Sequence, residues 1–202
     1  MSLLPNLIFT APIGASIQKR WKAGFRHFFG FSFIEMMAVL AIVAILAAVA
    51  VPSFKGILVS TNMTTQSNDF KGVVAFTRSE AIKRNSRVTL CQSSNGTDCG
   101  VGGNWEQGYI VFEDKVNPIG EKMSISETLI SSSAALAGGS TLRISTGQSY
   151  ISFSQNGRSS IPLGAEWKLC PNPTETNKRG FIISVNALGV IIVTENTALP
   201  CG

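Results

Sequence analysis

The chain has 202 residues, room for one folded domain plus an anchor, and a formal net charge of +5. That charge sits at one end. Residues 1–30 hold Lys19, Arg20, Lys22 and Arg26 and no acid, and beyond them 13 basic residues face 12 acidic ones, a net of +1. A nearly neutral remainder argues against a phosphate-binding surface as the main function. The one histidine, His27, lies in the same basic segment. The chain beyond residue 30 therefore lacks the commonest general base and the commonest metal ligand.

From Met36 to Phe54 the chain carries no charge for 19 residues. As a helix this run would span about 28 Å at 1.5 Å per residue, close to the hydrocarbon core of a bilayer. It is apolar on every face, unlike the one-sided stripe of a soluble surface helix. The basic residues before it keep the N-terminus cytoplasmic and send the rest across the membrane, with Lys55 the one cation immediately behind. A secretory signal peptide is the competing reading, but its apolar core is shorter, about 7–15 residues, with small residues behind it. Glu35 is the only acidic residue among the first 68. A carboxylate at the edge of a membrane helix is costly without a partner.

Gly30-Phe31-Ser32-Phe33-Ile34-Glu35-Met36-Met37 resembles the class III signal of type IV prepilins. The resemblance implies removal of residues 1–30 by a prepilin peptidase that cuts between Gly30 and Phe31. It also implies N-methylation of Phe31 by the same peptidase/N-methyltransferase, and a role for Glu35 in assembly. Cleavage there creates an α-ammonium group in apolar surroundings, and a carboxylate one turn on offsets it. In the family that amine is ascribed to a neighbouring subunit; the alternative is an intrachain pair that neutralises the helix end. Pro52 matches a proline common in pilins, and inside a helix it removes a hydrogen bond and permits a kink.

Beyond residues 31–54, the membrane helix, Phe54, Leu58, Phe70, Val73, Thr77 and Ala81 recur near helical spacing and predict an amphipathic continuation over 55–85. A polar stretch, Ser60 to Asn68, weakens that pattern. Past Asn85 the period shortens towards two. Strands are expected at Arg87–Gln92, Tyr109–Glu113, Met123–Ile130, Thr141–Ser145, Tyr150–Ser154, Trp167–Cys170, Phe181–Asn186 and Val190–Thr194. Turn signals at Asn95-Gly96, Asn117-Pro118, Gly138-Gly139, Asn156-Gly157 and Leu188-Gly189 separate them, Asn156-Gly157 being the strongest hairpin signal. The fold class is α+β, a long N-terminal helix packed on an antiparallel sheet domain over 86–202.

Cys91, Cys99, Cys170 and Cys201 all lie beyond the apolar run. Four cysteines allow three pairings. The pairs Cys91–Cys99, closing a short loop, and Cys170–Cys201, tying down the last residues, are favoured. A zinc site is the rival, disfavoured without Cys-x-x-Cys or histidine. Disulfides imply an oxidising compartment such as the periplasm.

The segment Phe76-Thr77-Arg78-Ser79-Glu80-Ala81-Ile82-Lys83-Arg84-Asn85, then Val88-Thr89-Leu90-Cys91, resembles the GspH/FimT group of minor pilins and H-type minor pseudopilins. Trp105, Gly108, Tyr109, Val111 and Phe112 match its next landmark, with Trp105 and Phe112 read as core. The implied function is a minor pilin that helps to initiate a type IV pilus-like filament, at or near its tip. The alternative is an H-type pseudopilin of type II secretion. Implied partners are major and minor pilins or pseudopilins, the prepilin peptidase, an inner-membrane assembly platform and membrane lipid.

Some members bind DNA through a basic Gly-Arg-x-Arg stretch. Here that place reads Gly189-Val190-Ile191-Ile192, leaving Lys178 and Arg179 as the candidate nucleic-acid contacts. Catalysis has no support: no paired carboxylates at useful spacing and no Gly-rich phosphate loop occur, and no cofactor is implied. Ser79-Glu80 and Ser159-Ser160 read as ordinary helix and loop residues, Lys83 and Arg84 as a basic helix end suited to the dipole. A monomeric tethered binding module would account for anchor and domain, but not for the Gly30-Phe31 junction with Glu35.

Overall fold

A computed structural model describes residues 30–100, 102, 104–115, 127–174, 179–196 and 201, without the side chains of Pro52 and Ser53. The Asn117-Pro118 turn, Lys178 and most of the basic N-terminal segment lie outside the described residues. The chain forms two compact units, divided between Ala44 and Ile45.

Helix α1 runs Phe33–Arg84, its 52 residues continuing through Pro52. In the first unit its side chains from Phe33 to Ala44 are exposed all round. In the second, the buried face is Met63, Gln66, Ser67, Phe70, Val74, Thr77 and Ala81, spaced three and four apart. The expected stripe is thus correct at Phe70, Thr77 and Ala81, and Val73 packs against the core half-buried. Phe54 and Leu58 are instead 61% and 53% exposed. The burial begins at Met63, inside the polar stretch, because Gln66 donates from Nε2 to the Ala137 carbonyl at 2.9 Å and so can be buried.

The helix stops on Asn85, whose φ of 50° is left-handed. Its N–H donates to Ile82 O at 3.2 Å, and Ser86 N–H donates to Ala81 O at 3.2 Å. This is a Schellman closure with asparagine in place of glycine.

Eight strands are found among the described residues: β1 Val88–Gln92, β2 Tyr109–Glu113, β3 Thr128–Ser133, β4 Thr141–Ile144, β5 Tyr150–Phe153, β6 Ala165–Cys170, β7 Gly180–Val185 and β8 Ile191–Asn196. They form two four-stranded sheets, ordered β3-β2-β1-β5 and β4-β6-β7-β8. Every strand pair is antiparallel. Strands β1 and β2 are buried along their whole length, as central strands covered on both faces.

Six strands have bounds that move by one or two residues, and two expectations differ further. The strand expected at Met123–Ile130 runs Thr128–Ser133, residues 123–126 being outside the description. Ser131, Ser132 and Ser133 pair with Val111, Ile110 and Tyr109, so the neighbour imposes a strand on a run with no apolar alternation. The Asn156-Gly157 signal is a true turn, with Gly157 N–H donating to Ser154 O at 2.8 Å. It returns only as far as a single bridge, Phe153 with Ser159. β5 pairs with β1 instead, and Pro162, which has no N–H to give, precedes the crossing of the chain to the other sheet.

The two sheets meet on aromatic rings. Phe70 of α1 lies edge-on to Trp105, Tyr109 and Trp167, with ring centroids 5.9, 5.5 and 5.3 Å away. Trp105 sits in a 3-10 turn, Trp105–Gln107, between the sheets. It is fully buried, donates Nε1–H to Gln148 O at 3.2 Å, and packs edge-on to Trp167 at 5.5 Å. Arg143 of β4 pairs with Glu106 of that turn at 2.6 Å. Gly108 closes it at φ 121°, where a Cβ would meet the Ser133 and Ser93 carbonyl oxygens at 2.6 and 2.7 Å.

Phe70→Ala should therefore lower unfolding free energy by about 3–5 kcal/mol, as measured by denaturant unfolding of the full-length chain in detergent. A loss under about 1 kcal/mol would show that Phe70 does not hold the sheets together.

Candidate assembly site

Gly30, Phe31 and Ser32 precede the helix, and Ser32 starts it. Its carbonyl accepts the N–H groups of Glu35 and Met36 at 3.0 and 3.1 Å. That makes Ser32 the N-cap and Glu35 the third helical residue, the Ser-x-x-Glu spacing of a capping box. Glu35 is the acidic residue of the first turn, where the exposed backbone N–H groups favour negative charge. An approaching ammonium group would find this carboxylate accessible, since Glu35 is exposed.

Around it Phe31, Phe33, Ile34, Leu40, Ile45, Leu46 and Val49 are each 64% exposed or more. An apolar surface this continuous exceeds what a soluble monomer presents to water. Inside the helix the backbone groups bond along the chain, the Ala48 carbonyl opposite Pro52 excepted, so the segment suits hydrocarbon or a bundle of like helices. Its apolar window is long enough to cross a membrane.

The sulfurs pair as Cys91–Cys99 and Cys170–Cys201, the favoured pairing. The second joins the end of β6 to the last described residue. Among the described residues no group of His, Cys, Asp and Glu could hold a metal ion.

Trp105 and Phe112 lie in the core. At Gly189-Val190-Ile191-Ile192 the turn is held by Asn186, whose Oδ1 accepts the N–H groups of Leu188 and Val190 at 3.0 and 2.9 Å. Arg179 pairs with Glu195 at 2.8 Å, which offsets its charge. The nearby Arg78 gives Nε–H to Gly157 O at 3.0 Å and Nη2–H to Leu188 O at 3.2 Å. Its guanidinium is spent on carbonyls that fasten two turns to the helix. The arrangement is poor for phosphate contacts.

The end of α1 carries more than a dipole match. Glu80, read from sequence as an ordinary helix residue, is only 7% exposed and accepts from Arg84 Nε at 2.7 Å and Lys83 Nζ at 3.3 Å. Glu113 of β2 accepts from Ser86 Oγ at 2.7 Å and pairs with Lys115 at 3.1 Å. Asp114 pairs with Arg87 at 2.9 Å and accepts from Thr89 Oγ1 at 2.7 Å, and Thr89 bonds Ser152 at 2.6 Å. A Glu–Arg spacing of four was the sequence signal for the first pair. Glu113, at the end of β2, and Asp114, just past it, lie more than 25 residues from the helix end and left no such signal.

Ser159 and Ser160 also have structural roles, as Ser160 Oγ accepts the Ser152 N–H at 3.0 Å and Ser159 Oγ the Ile161 N–H at 3.1 Å.

A continuous apolar helix entered through Ser-x-x-Glu, with two antiparallel sheets on its second half, defines a pilin-like protein. The sequence matches the family described as type II transport protein GspH over residues 66–189, and the prokaryotic N-terminal methylation motif over residues 25–51. The chain belongs to the GspH family of pilin-like proteins. Among curated proteins none matches it.

Solved structures with the same fold include the type IV minor pilin FimU of Pseudomonas aeruginosa. One crystal form has TM-score 0.53 at 15% identity, covering 67% of this chain and 90% of that one. A second form gives 0.50 at 14%, with 65% and 91% covered. The minor pseudopilin EpsH of the Vibrio cholerae type 2 secretion system has TM-score 0.45 and 9% identity, covering 66% and 96%.

Hydrogen bonds from Arg84 to Glu80 and from Ser86 to Glu113 hold both carboxyls below their ordinary range, against the opposing effect of burial. Their contribution to stability is complete above the unfolded carboxylate value, about 4.3, and is lost as pH falls through the depressed folded values. Melting temperature of the full-length chain should fall on acidification below about pH 5. Glu80→Gln should flatten that fall, and an unaltered slope would remove the Glu80 pair from the explanation.

Proposed function

We propose that the chain is a minor pilin, a low-abundance subunit that helps to start a type IV pilus-like filament at or near its tip. Residues 1–30 are the leader, 31–54 the membrane helix, 55–85 its continuation and 86–202 the exported domain. The prepilin peptidase cuts between Gly30 and Phe31 and methylates Phe31. The helix waits in the bacterial inner membrane with its N-terminus cytoplasmic and its domain periplasmic. The assembly platform then draws it into a bundle with other pilins, Pro52 allowing it to bend. One observation carries this reading: a lone exposed carboxylate, Glu35, in the first turn of a helix whose apolar surface is uncovered. Burial of that helix among its like would strand the carboxylate unless an ammonium group met it, and the new Phe31 amine of a neighbour supplies one.

The second reading is an H-type pseudopilin of a type II secretion system, favoured by the family's own description. Likeness to FimU supports the pilus through fold alone. Both readings place Glu35 and Phe31 in the same roles.

Glu35→Val should leave the protein in the membrane at normal abundance while its recovery in sheared filaments falls about tenfold or more, as expected when a buried charge loses its partner. Normal recovery in the filament fraction would remove Glu35 from assembly. Gly30→Leu should accumulate a precursor about 3 kDa heavier, thirty residues of a 202-residue, 21.5 kDa chain. Mature-sized protein from that variant would refute the junction.

A further inference from the structure

Within the second unit a groove of about 700 Å³ lies between α1 and the edge strand β3. Asp69, Gly72, Val73 and Phe76 form its helix side, Ser131 and Ser133 its strand side. The volume is within the range of ligand sites.

Four features of the groove are not explained by the fold. Gln66, 7% exposed, reaches the groove, and among the described residues its Oε1 has no hydrogen-bond partner. A buried acceptor left without a partner is costly, and the helix bears that cost at the groove wall. Gly72 stands in the middle of the helix, where glycine weakens it, yet a Cβ there would meet nothing within 4 Å. The chain itself does not need the space that Gly72 leaves. Among the described residues Asp69 is the one charged residue on the groove, and it has no ion-pair partner there. Finally, among the described residues β3 ends its sheet, so alternate N–H and C=O groups face outward. Ser131 to Ala135 carry no charge and no proline to blunt that edge.

We propose that this groove receives an extended segment of another filament subunit, added as a strand beside β3. A lysine or arginine of that segment meets Asp69, and the main chain passes close over Gly72. Main-chain bonds to the edge supply affinity, and alternate side chains supply selection, as in other strand additions. Val73 and Phe76, the latter 39% exposed, give the apolar floor for a side chain on the opposite face.

The inference rests on the filament reading above. The test is therefore made with the full-length chain in its native host, carrying photoreactive benzoylphenylalanine in place of Phe76, with incorporation into sheared filaments measured in the same cells. The expected product is a crosslink that peptide mapping places on an extended, lysine- or arginine-bearing segment of another subunit. Asp69→Arg should cut its yield about tenfold, as for a close charge pair reversed, while Asp69→Glu keeps it.

Gly72→Leu should also abolish the crosslink while raising melting temperature through better helix propensity. A structural role alone would move melting temperature and leave the crosslink. No crosslink, or one to lipid, to a helix or to a protein outside the filament, would overturn the proposal. If incorporation is normal in that case, the filament reading stands and only the groove assignment fails. If the unsubstituted chain never enters filaments, the filament reading itself has failed.

Discussion

Phe70 sets a condition that the second unit has to meet: one side chain of a helix must touch both sheets at once. Its ring lies against Tyr109 of one sheet, Trp167 of the other and Trp105 of the turn between them. Each sheet has an apolar face that must be buried against another layer. Two such sheets gain a common core only if something fills the gap between them, and large rings do so with few rotatable bonds. The position of the 3-10 turn, the closeness of Gly108 to its carbonyl neighbours and the Arg143–Glu106 pair all stem from placing Trp105 in that gap.

The same helix answers to different solvents along its length. Around Phe33 to Val51 its surface is apolar without a preferred side, the condition for hydrocarbon or for a bundle of equal neighbours. From Met63 on it has a buried and an exposed face. Near Arg84 it closes on β2 through the Arg84–Glu113 pair at 3.9 Å, and the buried carboxylates Glu80 and Glu113 are each met by cations or a hydroxyl. Such pairs add little net stability when intact and cost heavily when one partner is lost, so they fix the place of the helix end.

Much of this was visible in the residues. β2 falls where alternation put it, Tyr109–Glu113, and the helix ends at Arg84 as expected. Those segments have strong local signals: a period, a basic last turn and an asparagine able to adopt positive φ. The errors have physical causes as well. Phe54 and Leu58 share the helical period with Phe70, but a period says which residues align and not what covers them. Gln66 belongs to the polar stretch that weakens the helical pattern and is buried, because the Ala137 carbonyl, 71 residues away, takes its amide. The Asn156-Gly157 turn forms, yet β5 takes β1 as its partner. Turn chemistry acts over four residues, while strand pairing is settled by whichever edge offers more burial.

By itself the sequence determined the apolar helix, the single carboxylate at its start, the order of helix and strands, and the even set of cysteines. Each is a matter of residue type at short range, where local physics is enough. Only the tertiary structure decided that the strands divide into two sheets, that Glu80 and Asp114 are buried with partners, and that a groove beside β3 leaves Gln66 Oε1 unmet. Those outcomes depend on contacts between residues far apart in the chain, and burial and hydrogen-bond satisfaction have no value until both sides are in place.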